Sequence, residues 1–331
     1  MTEPTPVVDV AIVGAGPAGL YAAYYAGMRE MSVTLIDSLP VLGGQLVTLY
    51  PEKLIYDVAG HPQILAKDLA AKLIEQGLQY HPRVCIGEGA IQLTPEDASG
   101  LWRVTSSKST HVARCVLIAA GVGAFEAKKL SLPEAHQFED RGLFYHVPSL
   151  EHFRDRRVLI VGGGDSAIDW ANLLAPITKE QTLIHRRDQF RAHEGSLRQM
   201  LDGPTRVLTF HELRAITGSD RIEHCTVYDN RSNIDYTIPA DAVLVNIGYT
   251  STLGPLKQWG LAIEKNAIRV DHRMMSNLTG VFAAGDIATY PGKLKLISVG
   301  FSEAAIAINH AKQYIDPKSK LFPGHSSDQT R

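Results

Sequence analysis

Two glycine-rich turns, each set between a short apolar run and a helix-like stretch, constrain this chain more than any other feature of its 331 residues. The first reads Gly14-Ala-Gly16-Pro-Ala-Gly19. Before it, Val7–Val13 is a short apolar run bounded by glycine, the pattern of a buried parallel strand. After it, Leu20–Glu30 reads as a helix and Ser32–Asp37 as a second strand, which closes a β-α-β unit of about 30 residues. Gly14 permits the tight turn, Gly16 lets a pyrophosphate approach the backbone, and Gly19 lets helix and strand pack closely. The helix N-terminus then offers free N–H groups and a positive partial charge to phosphates. Asp37 lies 18 residues after Gly19, at the end of the second strand, where a carboxylate can accept hydrogen bonds from a ribose diol.

The pattern returns 148 residues later, from Gly14 to Gly162. Arg157–Val161 reads as a strand, Gly162-Gly-Gly164-Asp-Ser-Ala167 as the turn, Ile168–Leu174 as the opening of a helix, and Thr182–His185 as the next strand. Gly162, Gly164 and Ala167 take the three turn positions. Where the first unit carries Asp37, the second carries His185-Arg186-Arg187. Two guanidiniums attract a 2′-phosphate and bind it through paired donors, whereas a carboxylate repels it. The second site is therefore expected to prefer NADP(H) over NAD(H). Arg191 and His193, a turn further on, are supporting candidates, while Asp188 keeps the stretch from being purely basic. Two such units in one chain point to two dinucleotides that exchange electrons.

Composition narrows the partners. With 33 Lys+Arg against 35 Asp+Glu, the net charge of −2 supplies no bulk attraction for nucleic acid or anionic lipid. Three cysteines, Cys85, Cys115 and Cys225, contain no CxxC pair, which removes a zinc ribbon or a dithiol redox centre within the chain. Cys85 and Cys115 lie in apolar strand-like segments and read as inert core thiols. The 13 histidines form no HExxH, and no metal site is expected. The start, Met1-Thr-Glu-Pro-Thr-Pro6, lacks the basic region and apolar stretch of a signal peptide. Runs such as Val116–Ala120 fall far short of the roughly 20 residues needed to cross a bilayer. The expectation is a cytoplasmic protein that binds neither membrane nor nucleic acid.

A third motif selects the first cofactor. Thr279-Gly-Val-Phe-Ala-Ala-Gly285-Asp286 reads as a strand ending in Gly-Asp, followed after a loop by a helix, Leu296–Tyr314. A strand-end aspartate can hold a sugar-alcohol hydroxyl, and a helix start can hold a negatively charged ring edge. FAD has a ribityl chain and NAD does not. With the first fingerprint, this motif resembles the two-dinucleotide flavoprotein reductases. Ile118-Ala-Ala-Gly121 and Val245-Asn-Ile-Gly248 resemble the crossings between the two domains of that superfamily. The closer resemblance is to ferredoxin(flavodoxin)–NADP reductases of the thioredoxin-reductase-like type. It rests on Gly43-Gly-Gln45-Leu, Thr48-Leu-Tyr50-Pro, Phe190-Arg-Ala-His-Glu194, Tyr290-Pro-Gly-Lys-Leu-Lys-Leu296 and the tail Phe322-Pro-Gly-His325-Ser-Ser327. Thioredoxin reductases carry CxxC in the NADPH domain, where this chain has Cys225 alone.

That resemblance implies an α/β fold with two Rossmann-like domains. Residues 1–117 and 249–331 would make a discontinuous FAD-binding domain with a C-terminal tail, and 118–248 an inserted NADPH-binding domain. The FAD contacts it implies are Gly14, Gly16, Gly19, Asp37, Gln45, Tyr50, Ala90, Phe125, Asp286 and Ser327. Gly162, Gly164, Ala167, Arg186 and Arg187 would bind NADPH. Tyr50 and His325 would cover the two faces of the isoalloxazine ring and gate access to it, with no acid–base residue required. NADPH would deliver a hydride to flavin N5, and electrons would leave singly to ferredoxin or flavodoxin. Lys128, Lys129, Lys293 and Lys295 are candidates for a basic docking face toward such acidic carriers. A homodimer is also implied. Two other readings compete: a cysteine-less NADPH reductase of a small molecule, quinone or oxygen, and a non-catalytic FAD redox sensor.

Overall fold

The computed structural model describes residues 6–96, 100–147 and 149–325, with 124–126, 250 and 251 described as backbone only. In chain order the elements begin β1 (Val7–Val13), α1 (Pro17–Met28), β2 (Val33–Asp37), the short α2 (Gln45–Thr48), the ribbon β3 (Leu54–Ile55) and β4 (Ile64–Leu65), and α3 (Ala66–Gly77). Then come β5 (Arg83–Ile86), β6 (Ala90–Glu96), β7 (Leu101–Ser106), β8 (Thr110–Ile118), β9 (Ala124–Ala127) and β10 (Leu143–Phe144). The middle of the chain holds β11 (Arg157–Gly162), α4 (Asp165–Leu174), β12 (Glu180–His185), α5 (Glu194–Leu201) and β13 (Arg206–Thr209). It continues with β14 (His211–Gly218), β15 (Ile222–Asp229), β16 (Ile234–Pro239), β17 (Ala242–Asn246) and β18 (Tyr249–Thr252). The last part holds β19 (Ile263–Glu264), β20 (Ala267–Arg269), β21 (Val281–Ala283), β22 (Ala288–Thr289) and α6 (Ile297–Ile315).

Two compact units result: residues 1–124 with 251–331, and residues 125–250. In the first, the sheet runs β5-β2-β1-β8-β7-β6, with β21 also paired to β8. The strands β5, β2, β1, β8 and β21 are parallel, and β6, β7 and β8 are antiparallel. Strand β8 can serve both neighbours because it is long. Its first half pairs with β7, and its Val116–Ile118 end pairs with β21. β1 and β2 read as near-continuous apolar runs because helices cover the sheet: Val10, Ala11, Ile12, Leu35 and Ile36 are fully buried. α1 packs tightly because its inner face is alanine and glycine; Gly19, Leu20, Ala22, Ala23 and Ala26 are buried.

The second unit has a five-stranded, wholly parallel sheet ordered β10-β17-β11-β12-β13. One face of it packs on the antiparallel sheet β14-β15-β16, through Leu159, Val161, Ile184, Val243 and Val245 against Ile216, Cys225, Val227 and Ile238. Helices α4 and α5 pack together. In both units the chain leaves the central strand through a helix to a neighbour on one side, while a later strand pairs on the other side. This is the topological switch point at which open α/β sheets bind ligands, outside the carboxyl ends of their strands.

Candidate functional site

The crevice of the first unit lies between the ends of β1 and β8. Gly14 has φ +111°, and a Cβ there would stand 2.3 Å from the Ala119 carbonyl oxygen. A Cβ on Gly19 would stand 1.8 Å from the Gly14 oxygen. Neither position admits a side chain, so the turn lies directly against the neighbouring strand. Gly16 faces Gly44, whose own Cβ would meet the Gly16 Cα at 2.8 Å. The result is a glycine-walled cradle at the start of α1. That helix has Gly16 as N-cap, no capping side chain and no acidic residue in its first turn, so its leading N–H groups and positive end suit a phosphate.

Asp37 closes one end of the cradle. Its Oδ2 accepts from the Ala15 N–H at 2.5 Å and its Oδ1 from the Leu39 N–H at 2.8 Å, which anchors the carboxylate in the turn. Burial pushes its carboxyl above the ordinary range, and these two N–H bonds oppose that shift. The loop before β6 is tied to the same corner by Gly87 N–H to Leu39 O and Glu88 N–H to Asp37 O, which brings Ala90 to this end. Gln45 opens α2 and reaches Gly121 in the turn after β8: a Cβ on Gly121 would lie 3.2 Å from Gln45 Nε2.

At the other end, Tyr50 is half-buried and packs on the core. Burial, with the nearby Asp286 carboxylate and then Asp57, pushes its phenol up to about 12. Tyr50 and Asp286 thus share one locality. Gly285 packs on the start of α1, where a Cβ would meet Ala18 Cβ at 3.1 Å, and a Cβ on Gly300 of α6 would meet Gly285 Cα at 3.4 Å. Glu303 locks this junction. Its Oε2 accepts from the Gly285 N–H at 2.8 Å, and its Oε1 accepts from Tyr290 Oη at 2.6 Å and Lys293 Nζ at 2.5 Å. The Lys293 and Glu303 side chains are only 6% and 2% exposed. Lys293 is therefore a buried structural cation and drops out of the exposed docking candidates. Lys129 is ion-paired with Glu139, while Lys128 and Lys295 are exposed. His325 is exposed and packs edge-on against Phe322, with 5.3 Å between ring centroids. Phe125 lies on β9 with its side chain outside the described residues, and Ser327 lies outside them altogether.

The second crevice lies between β11 and β17. Gly162 pairs with Asn246, and a Cβ on Gly162 would meet the Asn246 oxygen at 2.4 Å and Ala167 Cβ at 2.9 Å. Gly164 caps α4 and bridges to Arg191, whose N–H donates to Gly163 O at 2.8 Å. Register confirms the correspondence between units: Ile36 lies opposite Val13 as Ile184 lies opposite Val161. Asp37 and His185 are thus equivalent. The His185 ring covers Gly163, where a Cβ would meet it at 2.4 Å, and its Nε2 lies 3.1 Å from Gln189 O. Burial, with Arg186 and Arg187 adding like charge, holds this imidazole below its ordinary range, so it stays neutral. Arg186 and Arg187 are exposed, with the backbone held by Asn230 Nδ2 donating to Arg186 O at 3.0 Å.

Two groups were invisible to motif spacing. Glu88 is buried, and its Oε1 accepts from Ser106 and Ser109 hydroxyls and lies 3.0 Å from His111 Nε2. These partners hold its carboxyl down at about 2. Cys85 joins them, with donor atoms of Cys85, Glu88 and His111 within 4.8 Å of one another. The second group is Arg29, which is buried and grips the segment that leads into the tail. Its guanidinium donates to Asn309 Oδ1, Leu321 O (3.2 Å), Ser319 Oγ (3.1 Å) and Lys320 O (2.8 Å).

All three cysteines are free. Cys85 is on β5 and Cys115 on β8, with β2 and β1 between them. Three strand spacings, about 14 Å, exceed the reach of a disulfide. Cys225 lies in the other unit, where burial pushes its thiol up to about 12.

A sequence model of pyridine nucleotide-disulphide oxidoreductases matches residues 8–311, and the chain belongs to that family. Within it, the similarity is to ferredoxin–NADP reductases. The Thermus thermophilus ferredoxin–NADP reductase is 51% identical over 326 residues, covering 97% of each chain. The Bacillus licheniformis ferredoxin–NADP reductase 2 is 48% identical over 327 residues, covering 99% of this chain and 98% of that one. Among solved structures, the thioredoxin reductase of T. acidophilum superposes with a TM-score of 0.78 at 23% identity, over 95% of this chain and 99% of that one. That likeness is one of fold.

Proposed function

We propose that this chain binds FAD in the first unit and NADP(H) in the second, and transfers electrons between NADP(H) and ferredoxin or flavodoxin. The observation that carries the reading is the pair of equivalent crevices with opposite chemistry at the ribose end, Asp37 in one and Arg186-Arg187 after His185 in the other. The names of the full-length relatives support the same reading. The glycine cradle fits the pyrophosphate of FAD: Gly14 and Gly19 admit no side chain and hold the turn against the neighbouring strand, while a Cβ on Gly16 would meet only the Gly44 Cα, at 4.0 Å, and so would stand in the open space a phosphate needs. Asp37 would hold the adenosine ribose there, and Asp286 the ribityl chain. FAD supplies, when bound, the exchange between a hydride donor and a one-electron carrier.

The protein's task is positioning. Tyr50 would cover one ring face, and its phenol stays protonated because burial and Asp286 raise it to about 12. His325, from the tail, would cover the other face and give way to the nicotinamide. Arg186 and Arg187 hold the 2′-phosphate of NADP(H). Because the three cysteines are free and form no CxxC pair, FAD when bound would have to pass its electrons directly to a separate carrier. A homodimer and a cytoplasmic location belong to the same reading and rest on the resemblance; among the described residues no helix is long and apolar enough to cross a membrane.

The test is NADPH-dependent cytochrome c reduction by the yellow, FAD-loaded protein, with and without added ferredoxin or flavodoxin. Large stimulation by the carrier is expected. Fast turnover without a carrier would favour a small-molecule reductase, and no NADPH oxidation would favour a sensor.

A further inference from the structure

We infer that Asn246 recognises the coenzyme, its side-chain amide hydrogen-bonding the nicotinamide-ribose half of the dinucleotide; the inference rests on the second unit being the NADP(H) site. Asn246 is 7% exposed, and among the described residues neither its Nδ2 nor its Oδ1 has a hydrogen-bond partner. A buried amide that leaves both donor and acceptor unpaired is costly, and proteins seldom keep one without a reason.

The fold itself does not need an amide there. Val13 pairs with Ile118 in the first unit as Val161 pairs with Val245 in the second, so Ala119 and Asn246 occupy the same slot beside Gly14 and Gly162. Both glycines press on the backbone oxygen of that slot, at 2.3 and 2.4 Å from their virtual Cβ atoms. The first unit builds the turn with a methyl group; the second installs a polar side chain.

The slot also faces the ligand side. Along β17, Val243 and Val245 pack into the cluster shared with the antiparallel sheet. Alternation puts Ala242, Leu244 and Asn246 on the opposite face, where α4 packs against β17. Asn246, the last residue of the strand, therefore sits beneath the Gly162–Ala167 turn, at the carboxyl edge of the switch point. Two residues on, Gly248 has φ +98° and open space where a Cβ would stand, so there is room beside the amide.

Which half of the coenzyme it meets follows from the strand order. Arg186 and Arg187 follow β12, on one side of β11, and take the adenosine 2′-phosphate. The pyrophosphate sits at the start of α4, on β11 itself. The remaining half crosses to the β17 side. There a ribose diol or a nicotinamide carboxamide presents the donor and the acceptor that an asparagine amide complements.

The experiment titrates the FAD-loaded, full-length protein with NADP⁺ and, separately, with 2′,5′-ADP, which lacks the nicotinamide half. Asn246→Leu is expected to weaken NADP⁺ at least tenfold, to leave 2′,5′-ADP within twofold, and to hold or raise Tm, because the orphaned amide is gone. Asn246→Ala, which copies Ala119, should repeat the pattern and guards against misfit of the leucine. Equal weakening of both ligands with a lower Tm would make Asn246 a packing residue and overturn the inference, as would unchanged NADP⁺ binding. If the unaltered protein binds neither ligand, the coenzyme reading fails and this assignment with it. If it binds both and the Asn246 variants match it, only the assignment of Asn246 fails.

Discussion

Replacing Lys293 by methionine tests whether the buried ion pair at the Gly285–Asp286 junction organises the flavin end of the first unit. Lys293 Nζ is 2.5 Å from Glu303 Oε1, and both side chains are almost wholly buried. Removing the lysine leaves an anion in the core. Breaking a buried pair in this way costs about 3–5 kcal/mol, because the surviving charge is uncompensated. The Tyr290 hydroxyl and the Gly285 N–H still reach Glu303, which places the cost near the lower end, about 3 kcal/mol. For a folding unit of this size, each kcal/mol moves Tm by about 2–4 °C, so Lys293→Met should lower Tm by about 6–12 °C. The double variant Lys293→Met, Glu303→Gln carries no stranded charge, and its glutamine oxygen can still accept from Gly285. It should recover most of the loss. The assay is differential scanning calorimetry in excess FAD, so that cofactor occupancy does not vary. A single variant within 2 °C of the parent, or a double variant as unstable as the sum of the singles, would refute the reasoning.

Three further outcomes are expected. Glu88 titrates at about 2 in the folded chain against about 4.5 unfolded, so it contributes stability that is present above pH 4.5 and lost as the pH falls toward 2. That contribution is at most about 3 kcal/mol; Glu88→Gln should flatten the acid limb of urea-midpoint against pH, and an unchanged limb would show that the Ser106–Ser109–His111 knot does not hold the carboxylate. The double variant Arg186→Ala, Arg187→Ala should lose about 100-fold or more of the preference for NADPH over NADH, on two charge-assisted bonds of about 1.5–3 kcal/mol each, and steady-state kinetics with both coenzymes decides it. Arg29→Gln removes the bonds that pin residues 319–321, so protease should clip the tail faster and hydride-transfer rates should shift in the same direction as on deleting the chain after Pro323; rates that respond to neither change would remove the tail from gating.

The parts of the site that could be read along the chain are those made by short-range order. Gly14, Gly16 and Gly19, and Gly162, Gly164 and Ala167, sit in strand–turn–helix runs whose period is visible without any tertiary contact. The Asp37–His185 correspondence was equally legible, since each lies at a set distance past its turn, and the strand register bears it out. Element ends were less exact: the second helix begins at Asp165, inside the turn, where an apolar pattern starts counting at Ile168. Lys293 reads along the chain as a candidate docking charge, and the fold buries it instead, because its burial depends on Glu303, a turn and a half into α6, and on Gly285 across the junction.

Chain order determined that there are two strand–glycine turn–helix units, that Asp37 ends the second strand of one where His185-Arg186-Arg187 ends that of the other, and that the sequence holds no CxxC pair, because each of these depends on residue type at fixed local spacing. Three-dimensional assembly decided what surrounds them. Arg29 meets residues 319–321 about 290 positions away. Glu88 gathers Ser106, Ser109 and His111 through the pairing of β7 and β8. Beside Gly162, the Asn246 side-chain amide has no hydrogen-bond partner among the described residues, where the counterpart beside Gly14 is Ala119. Whether a polar atom is buried and whether it has a partner are properties of packing between distant strands, and periodicity along one strand carries no record of them.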